Sequence, residues 1–230
     1  VPNFDICCAG FPCQPFSVAG LKRGFEDTRG TLFFNIANLV KEKIESGNPP
    51  RILFLENVRG LKNHDKGRTL QVILSTLSEL GYAYSYEVLN AKYFGVPQNR
   101  ERLWIFGQLG GLPEGFVQEP PHVELKYRIK DFLDKKPSED LYRTQAQIDR
   151  IHEIRNAPIF DVEEPLCYDY YNKKIRTDGI CMTVTPPEHN IMRIVEPMLD
   201  GKERLRKLSI DEHFRLMGFV LNEETREIKF

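Results

Sequence analysis

Phe4 to Cys8 is a short apolar run that breaks at Ala9-Gly10-Phe11-Pro12, a pattern that predicts a buried strand ending in a turn. A long polar stretch containing Gly20 and Gly24 follows as far as Gly30. From Thr31 the apolar residues Leu32, Phe33, Ile36, Leu39, Val40 and Ile44 recur every three or four positions, with Lys41 and Lys43 near the end and Gly47 beyond. That spacing predicts an amphipathic helix with a glycine stop. Arg51-Ile52-Leu53-Phe54-Leu55-Glu56 is a second strand-like run, and Leu70, Ile73, Leu74, Leu77 and Leu80 before Gly81 predict a second helix. Tyr82, Tyr84, Tyr86 and Val88 alternate with polar or small residues. After a turn-rich stretch with Gly95, Pro97 and Asn99 comes Leu103-Trp104-Ile105-Phe106, and the two segments read as paired strands. Strand, helix, strand, helix is the order of a mostly parallel α/β sheet.

The pattern changes after Phe106. Gly107 to Pro121 is dense in glycine and proline, and the chain to about Pro197 mixes charges, prolines and tyrosines without a sustained period. A small irregular second domain is expected there. Order returns at Arg206 to Gly218, where Ile210, Phe214, Leu216 and Met217 fit a short helix capped by Ser209 and ended by Gly218. The expected organisation is therefore an α/β domain over 1–109, a second domain over 110–197, and a return segment over 198–230 that packs between them.

Composition narrows this picture only a little. Hydrophobic residues make up 41% and charged residues 28%, ordinary globular usage. No stretch approaches the roughly 20 apolar residues of a membrane span, and Val1-Pro2-Asn3-Phe4-Asp5 carries no basic leader, so a cytoplasmic protein is expected. The five cysteines, at 7, 8, 13, 167 and 181, match neither a zinc spacing nor a disulfide framework, which predicts reduced thiols. The histidines are scattered and no metal is expected. A net charge of -1 gives no global attraction to nucleic acid. Lys173-Lys174-Ile175-Arg176 and Lys202 to Lys207 are local basic clusters, though such runs are usually only solvated.

Candidate chemistry sits where an open parallel sheet gathers its reactive groups, beyond the carboxyl ends of the strands. Cys13 follows the first run and Glu56 ends the second. If the last two strands form a hairpin whose final strand is antiparallel, Arg100 and Arg102 enter at the same edge. Each has a plainer reading: a buried structural thiol, the expected fate of Cys7 and Cys8, a solvated strand end, and two surface cations.

The motifs around these residues decide for the chemical reading. Gly10-Phe11-Pro12-Cys13-Gln14-Pro15-Phe16-Ser17 resembles the Pro-Cys-Gln loop of the cytosine-C5 DNA methyltransferases. Arg29-Gly30-Thr31-Leu32-Phe33, Glu56-Asn57-Val58, Gln98-Asn99-Arg100-Glu101-Arg102, and Arg206-Lys207-Leu208-Ser209 through Gly218-Phe219 resemble further motifs of that family, in its order. The resemblance implies a doubly wound, Rossmann-like fold with a target-recognition domain. It also implies methyl transfer from S-adenosylmethionine to carbon 5 of a flipped-out cytosine in duplex DNA. Cys13 would attack carbon 6 as a thiolate, Glu56 would share a proton with ring nitrogen 3, and Arg102 would grip the exocyclic oxygen with Arg100 in support. Pro12 and Leu32 are implied as cofactor-lining positions, and Gln14, Ser17 and Thr183 as DNA contacts. A cognate restriction endonuclease is an implied companion, without a stable complex.

The sequence departs from the family at both ends. It has no Phe-x-Gly-x-Gly motif or acidic strand ends before Cys13, no closing Gly-Asn-Ser-Val motif, and Val220 where proline is usual. Weak cofactor binding by this chain alone is therefore expected, and micromolar binding by calorimetry would refute that. Competing readings are a tRNA cytosine-C5 methyltransferase, a cysteine hydrolase pairing Cys13 with His64, and a non-catalytic DNA-binding fragment.

Overall fold

The structure is a computed structural model that describes residues 1–11, 32–186, 192–221 and 228–229. It divides into two compact units, one of residues 1–89 and 101–121, the other of 90–100 and 122–230.

The first unit opens with β1 (Ile6–Gly10). The predicted helix follows as α1 (Leu32–Glu45), burying Phe33, Ala37 and Val40. It stops as its glycine predicts: Gly47, at φ 74°, donates to the Ile44 carbonyl and Asn48 to that of Lys43, the paired bonds of a left-handed helix terminus. Next come β2 (Ile52–Val58), α2 (Arg68–Glu79) and β3 (Tyr82–Asn90). After β4 (Gln98–Asn99), which belongs to the second unit, β5 (Glu101–Leu109) returns to the first.

The sheet order is β1-β2-β5-β3, with β1 parallel to β2 and β5 antiparallel to β2. The period-2 pattern sorts its faces. Leu53, Leu55, Leu103 and Ile105 form one core with Phe33, Val40, Leu70, Ile73, Leu74 and Leu77 of the two helices. The opposite face carries Phe54 stacked on Trp104 at 4.8 Å and Phe106 stacked on Phe116 at 4.7 Å. Cys7 is half-buried and Cys8 exposed, which corrects the expectation that both are buried thiols. The physical reason is position: among the described strands β1 is an edge, so only its β2 side is paired.

The second unit is more regular than its sequence pattern predicts. It contains α3 (Gln145–Arg155), β6 (Leu166–Asp169), β7 (Lys174–Arg176), β8 (Cys181–Met182), β9 (Arg193–Leu199), β10 (Lys202–Arg206) and α4 (Ile210–Leu216). The order β10-β9-β6-β7 is antiparallel throughout, and β4 pairs in parallel with β8. Helix α3 buries only Ile148 and Ile151, too narrow an apolar stripe to announce a helix by periodicity. Its local signal is the capping box of Thr144 and Gln147. Ile148 and Ile151 reach a core of Phe160, Tyr168, Val195 and Leu205. A separate core joins Ile129, Cys167, Cys181, Ile194, Leu208 and Leu216. Helix α4 has the cap predicted for it, Ser209 accepting from the Glu212 amide.

Candidate active site

The carboxyl end of β1 lies directly beside the end of β2, because the two strands are parallel with Gly10 opposite Glu56. Strand β2 continues two residues past Glu56, to Val58. The backbone keeps Phe11 at this edge: its amide donates to the Glu56 carbonyl at 3.4 Å, and its own carbonyl accepts from Asn57 Nδ2 at 2.8 Å. Asn57 occupies the next slot of the apolar face after Leu53 and Leu55, and is 2% exposed. A buried amide costs stability unless bonded. Its bonds to Phe11 and, through Oδ1, from the Val58 amide meet that need and tie the exit of β1 to the end of β2.

Glu56 points to the other face, the one with Phe54 and Trp104. Antiparallel pairing sets Glu56 opposite Trp104 and Val58 opposite Arg102, so Arg102 lies diagonal to Glu56 on the same side. Arg102 Nε is 2.8 Å from Glu56 Oε1, and both residues are half-buried. Arg102 Nη1 also donates to the Glu101 carbonyl at 2.8 Å, and Glu101 pairs with Arg59 at 2.7 Å. The carboxylate thus faces a guanidinium already oriented by the backbone. Gly10 leaves room for this arrangement, since a Cβ there would stand 3.3 Å from Glu56 Oε2.

Pro12, Cys13, Gln14 and Ser17 lie outside the described residues. Leu32, the first residue of α1, is 52% exposed. Among the described residues no group of His, Cys, Asp and Glu could hold a metal ion, and no helix is long and apolar enough to cross a membrane.

With the geometry in view, likeness to known proteins narrows the choice. The profile described as C-5 cytosine-specific DNA methylase matches residues 1–222. This chain belongs to that family. The Type II methyltransferase M.NlaX of Neisseria lactamica is 59% identical over 219 residues, 95% of this chain and 66% of that protein. The Type II methyltransferase M.NgoBV of Neisseria gonorrhoeae is 38% identical over 230 residues, 92% of this chain and 49% of that protein. This chain therefore spans less than two thirds of each. Among solved structures, the Entamoeba histolytica methyltransferase EhMeth superposes with a TM-score of 0.58 at 18% identity, covering 94% of this chain and 65% of that one. The S. pombe Dnmt2 methyltransferase gives 0.58 at 18%, covering 94% and 66%. The shared fold is mixed α/β.

In this methylase-family chain the remaining candidate residues fall in the second unit. Arg100 is half-buried, and its amide donates to Asn90 Oδ1 at 3.1 Å. Thr183 donates its hydroxyl to the Asn99 carbonyl at 3.0 Å, joining the segment after β8 to β4. Gln98, singled out in the sequence only as a motif letter, is 1% exposed: Nε2 donates to the Leu216 carbonyl at 2.9 Å and Oε1 accepts from the Val184 amide at 3.1 Å. Asn57 and Gln98 are the residues that sequence reasoning passed over. For Asn57 the signal was available, as a polar residue in an apolar slot of a period-2 strand. For Gln98 there was none, since its partner Leu216 lies 118 positions away.

Proposed function

We propose that the full protein transfers a methyl group to carbon 5 of a cytosine flipped out of duplex DNA, through a covalent adduct with Cys13. The observation that carries this reading is the Glu56–Arg102 pair, held at the sheet edge where β1 ends at Gly10, three positions before Cys13, in a member of the cytosine-C5 methylase family.

The chemistry needs these groups because cytosine carbon 5 is a poor nucleophile. The Cys13 thiolate adds to carbon 6 and its electron pair becomes the carbon–sulfur bond. The ring electrons move toward nitrogen 3, which takes a proton from Glu56 in its carboxylic-acid form and leaves the carboxylate paired with Arg102, and carbon 5 gains the character of an enamine carbon. Arg102, fixed by Glu56 and the Glu101 carbonyl, presents a planar donor to the exocyclic oxygen, and Arg100 supports the site or the DNA backbone. S-adenosylmethionine, when bound, supplies the methyl group. Pro12 and the exposed Leu32 at the head of α1 are the positions given to it. Loss of the carbon 5 proton to solvent water, with the nitrogen 3 proton returning to Glu56, then re-forms the ring double bond and lets the ring expel the Cys13 sulfur as a thiolate.

Flipping the base costs a few kcal/mol of unstacking, and Gln14, Ser17 and Thr183 are the residues assigned to hold the DNA around it. The catalytic part is read as 1–109 of a doubly wound sheet. Residues 110–197 read the target sequence and 198–230 form the return segment between the two. A cognate restriction endonuclease, without a stable complex, and a setting in the bacterial cytosol complete this reading.

Trapping tests the reading. Duplex DNA with 5-fluorocytosine at the target cannot lose a proton from carbon 5, so with cofactor it should remain bound to Cys13 of the full-length protein. Cys13→Ala should form no adduct. Equal adduct yield from Cys13→Ala would overturn the proposal.

A further inference from the structure

The ladder between β2 and β5 ends where Val58 stands opposite Arg102. One step further in the same register come Arg59 and Glu101, at the point where β2 gives way to a 3₁₀ segment over Arg59–Gly67. Val58, which leads into that segment, makes no side-chain cap bond. An ion pair ties the two chains just beyond the ladder: Arg59 Nη1 donates to Glu101 Oε2 at 2.7 Å. Side chains alternate along a strand, so Glu101 leaves β5 on the face opposite to Arg102. The end of the ladder is therefore held from both faces, by Arg102 with Glu56 on one and by Glu101 with Arg59 on the other.

The two pairs also meet through the backbone, because Arg102 Nη1 donates to the Glu101 carbonyl at 2.8 Å. A planar guanidinium bonded at Nε to a carboxylate and at Nη1 to a main-chain oxygen is aimed only as well as that oxygen is fixed. Glu101 is the first residue of β5, and the ends of elements open most readily in local fluctuations. Restraining the Glu101 side chain restrains the peptide that orients Arg102. The Arg59 and Glu101 side chains are 63% and 35% exposed, and so exposed a pair adds little to global stability. Its consequence is local.

We propose that Arg59 and Glu101 are positioning residues for the reaction: their ion pair holds the Glu101 backbone, and through its carbonyl the Arg102 guanidinium, in the orientation in which Arg102 meets the base. The part played in the reaction rests on the methyl-transfer reading; the restraint on Arg102 does not. A misaimed orienting group costs rate even when the fold is intact.

The test compares the full-length protein with its Arg59→Ala, Glu101→Gln and charge-swapped Arg59→Glu/Glu101→Arg variants by two measurements. One is the nuclear magnetic resonance of the Arg102 Nε–H group, assigned by its loss in Arg102→Lys, together with its rate of proton exchange with water. The other is the rate of adduct formation with duplex DNA carrying 5-fluorocytosine, at saturating DNA and cofactor. Either single substitution should speed the Nε–H exchange and slow adduct formation, each by about threefold. The DNA concentration giving half-maximal rate should not change, and the swap should restore both quantities. An Arg102 resonance and exchange rate unmoved by both single substitutions overturn the proposal, and so does an unchanged adduct rate when the resonance moves. A rate that falls and is not restored by the swap assigns Arg59 a contact of its own and equally overturns it. If the wild type forms no adduct, the methyl-transfer reading is what fails, and the Arg102 resonance alone decides whether the pair restrains that side chain.

Discussion

Two arginine–glutamate clusters in this protein make opposite use of the same ion pair. Arg102 meets one carboxylate, Glu56, at an accessible sheet edge in the first unit. Arg206, in the second unit, is fully buried and meets two. Its Nε donates to Glu196 at 2.6 Å, and Nη1 and Nη2 donate to the two oxygens of Glu212 at 2.8 Å each. Burial alone would lower the Arg206 pKa, but the two carboxylates outweigh it and hold the pKa above that of an ordinary arginine. Glu212 also caps α4 through the Ser209 amide and accepts from the Asp134 amide, while Glu196 accepts from Tyr142 and pairs with Arg204. Every partner there is spoken for. A saturated buried network fixes a structure, because exchanging any member would strand a charge away from water. A single, partly exposed pair at the end of the strands can exchange partners at small cost. The difference teaches that partner count and burial, not the presence of the pair, separate a locked ion pair from one that can exchange partners.

Four experiments would break or sharpen that contrast. Glu56→Gln should lower the methyl-transfer rate of the full-length protein by about 10²–10⁴-fold. Its stability should change by no more than about 1 kcal/mol, the worth of a partly exposed pair. Single-turnover kinetics beside urea denaturation would measure both, and an unfolded variant would erase the distinction. Arg206→Leu should do the reverse, destabilising the second unit by about 3–5 kcal/mol by leaving the buried Glu212 carboxylate without its guanidinium. Hydrogen exchange at β9 and α4 would read this, and unchanged protection there would count against the network as scaffold. Gly10→Ala places a Cβ 3.3 Å from the Glu56 carboxylate. A shift of a few tenths of an ångström should cost about tenfold in rate with little change in melting temperature; an unchanged rate would mean that Glu56 is not positioned by this contact.

The smallest effect concerns pH. Burial works to raise the Asp134 pKa, but hydrogen bonds from Arg215 at 2.5 Å and Ser209 at 2.7 Å outweigh it and hold the carboxyl below its usual value. A depressed folded-state pKa contributes stability that is present above the ordinary carboxylate pKa and lost as pH falls through the folded value. The gap in urea midpoint between wild type and Asp134→Asn should therefore narrow between pH 7 and pH 3, and a constant gap would show that the ionised form is not what stabilises.

Much of the first unit was legible because its signals are local. Helices α1 and α2 follow from apolar spacing and their glycine stops, and β2 from an apolar run. The second unit was read as irregular because its helix α3 shows only two buried positions along its length. Its cores are assembled from segments far apart in sequence, as in Ile129 with Cys181 and Leu216. No window of ten or fifteen residues contains that information.

The sequence by itself determined which residue types follow β1, stand at the end of β2 and open β5, since short motifs are covalent facts that need no folding to be read. It also determined where the first helices begin and stop. Only the tertiary structure decided that Glu56 and Arg102, 46 residues apart in the chain, share one face of an antiparallel pair at 2.8 Å. It alone gave Asn57 and Gln98 their bonding duties, and it alone sealed Arg206 between two carboxylates. The reason is register: strand alternation sets which side a residue takes, but which residue stands opposite is fixed by packing across the whole sheet.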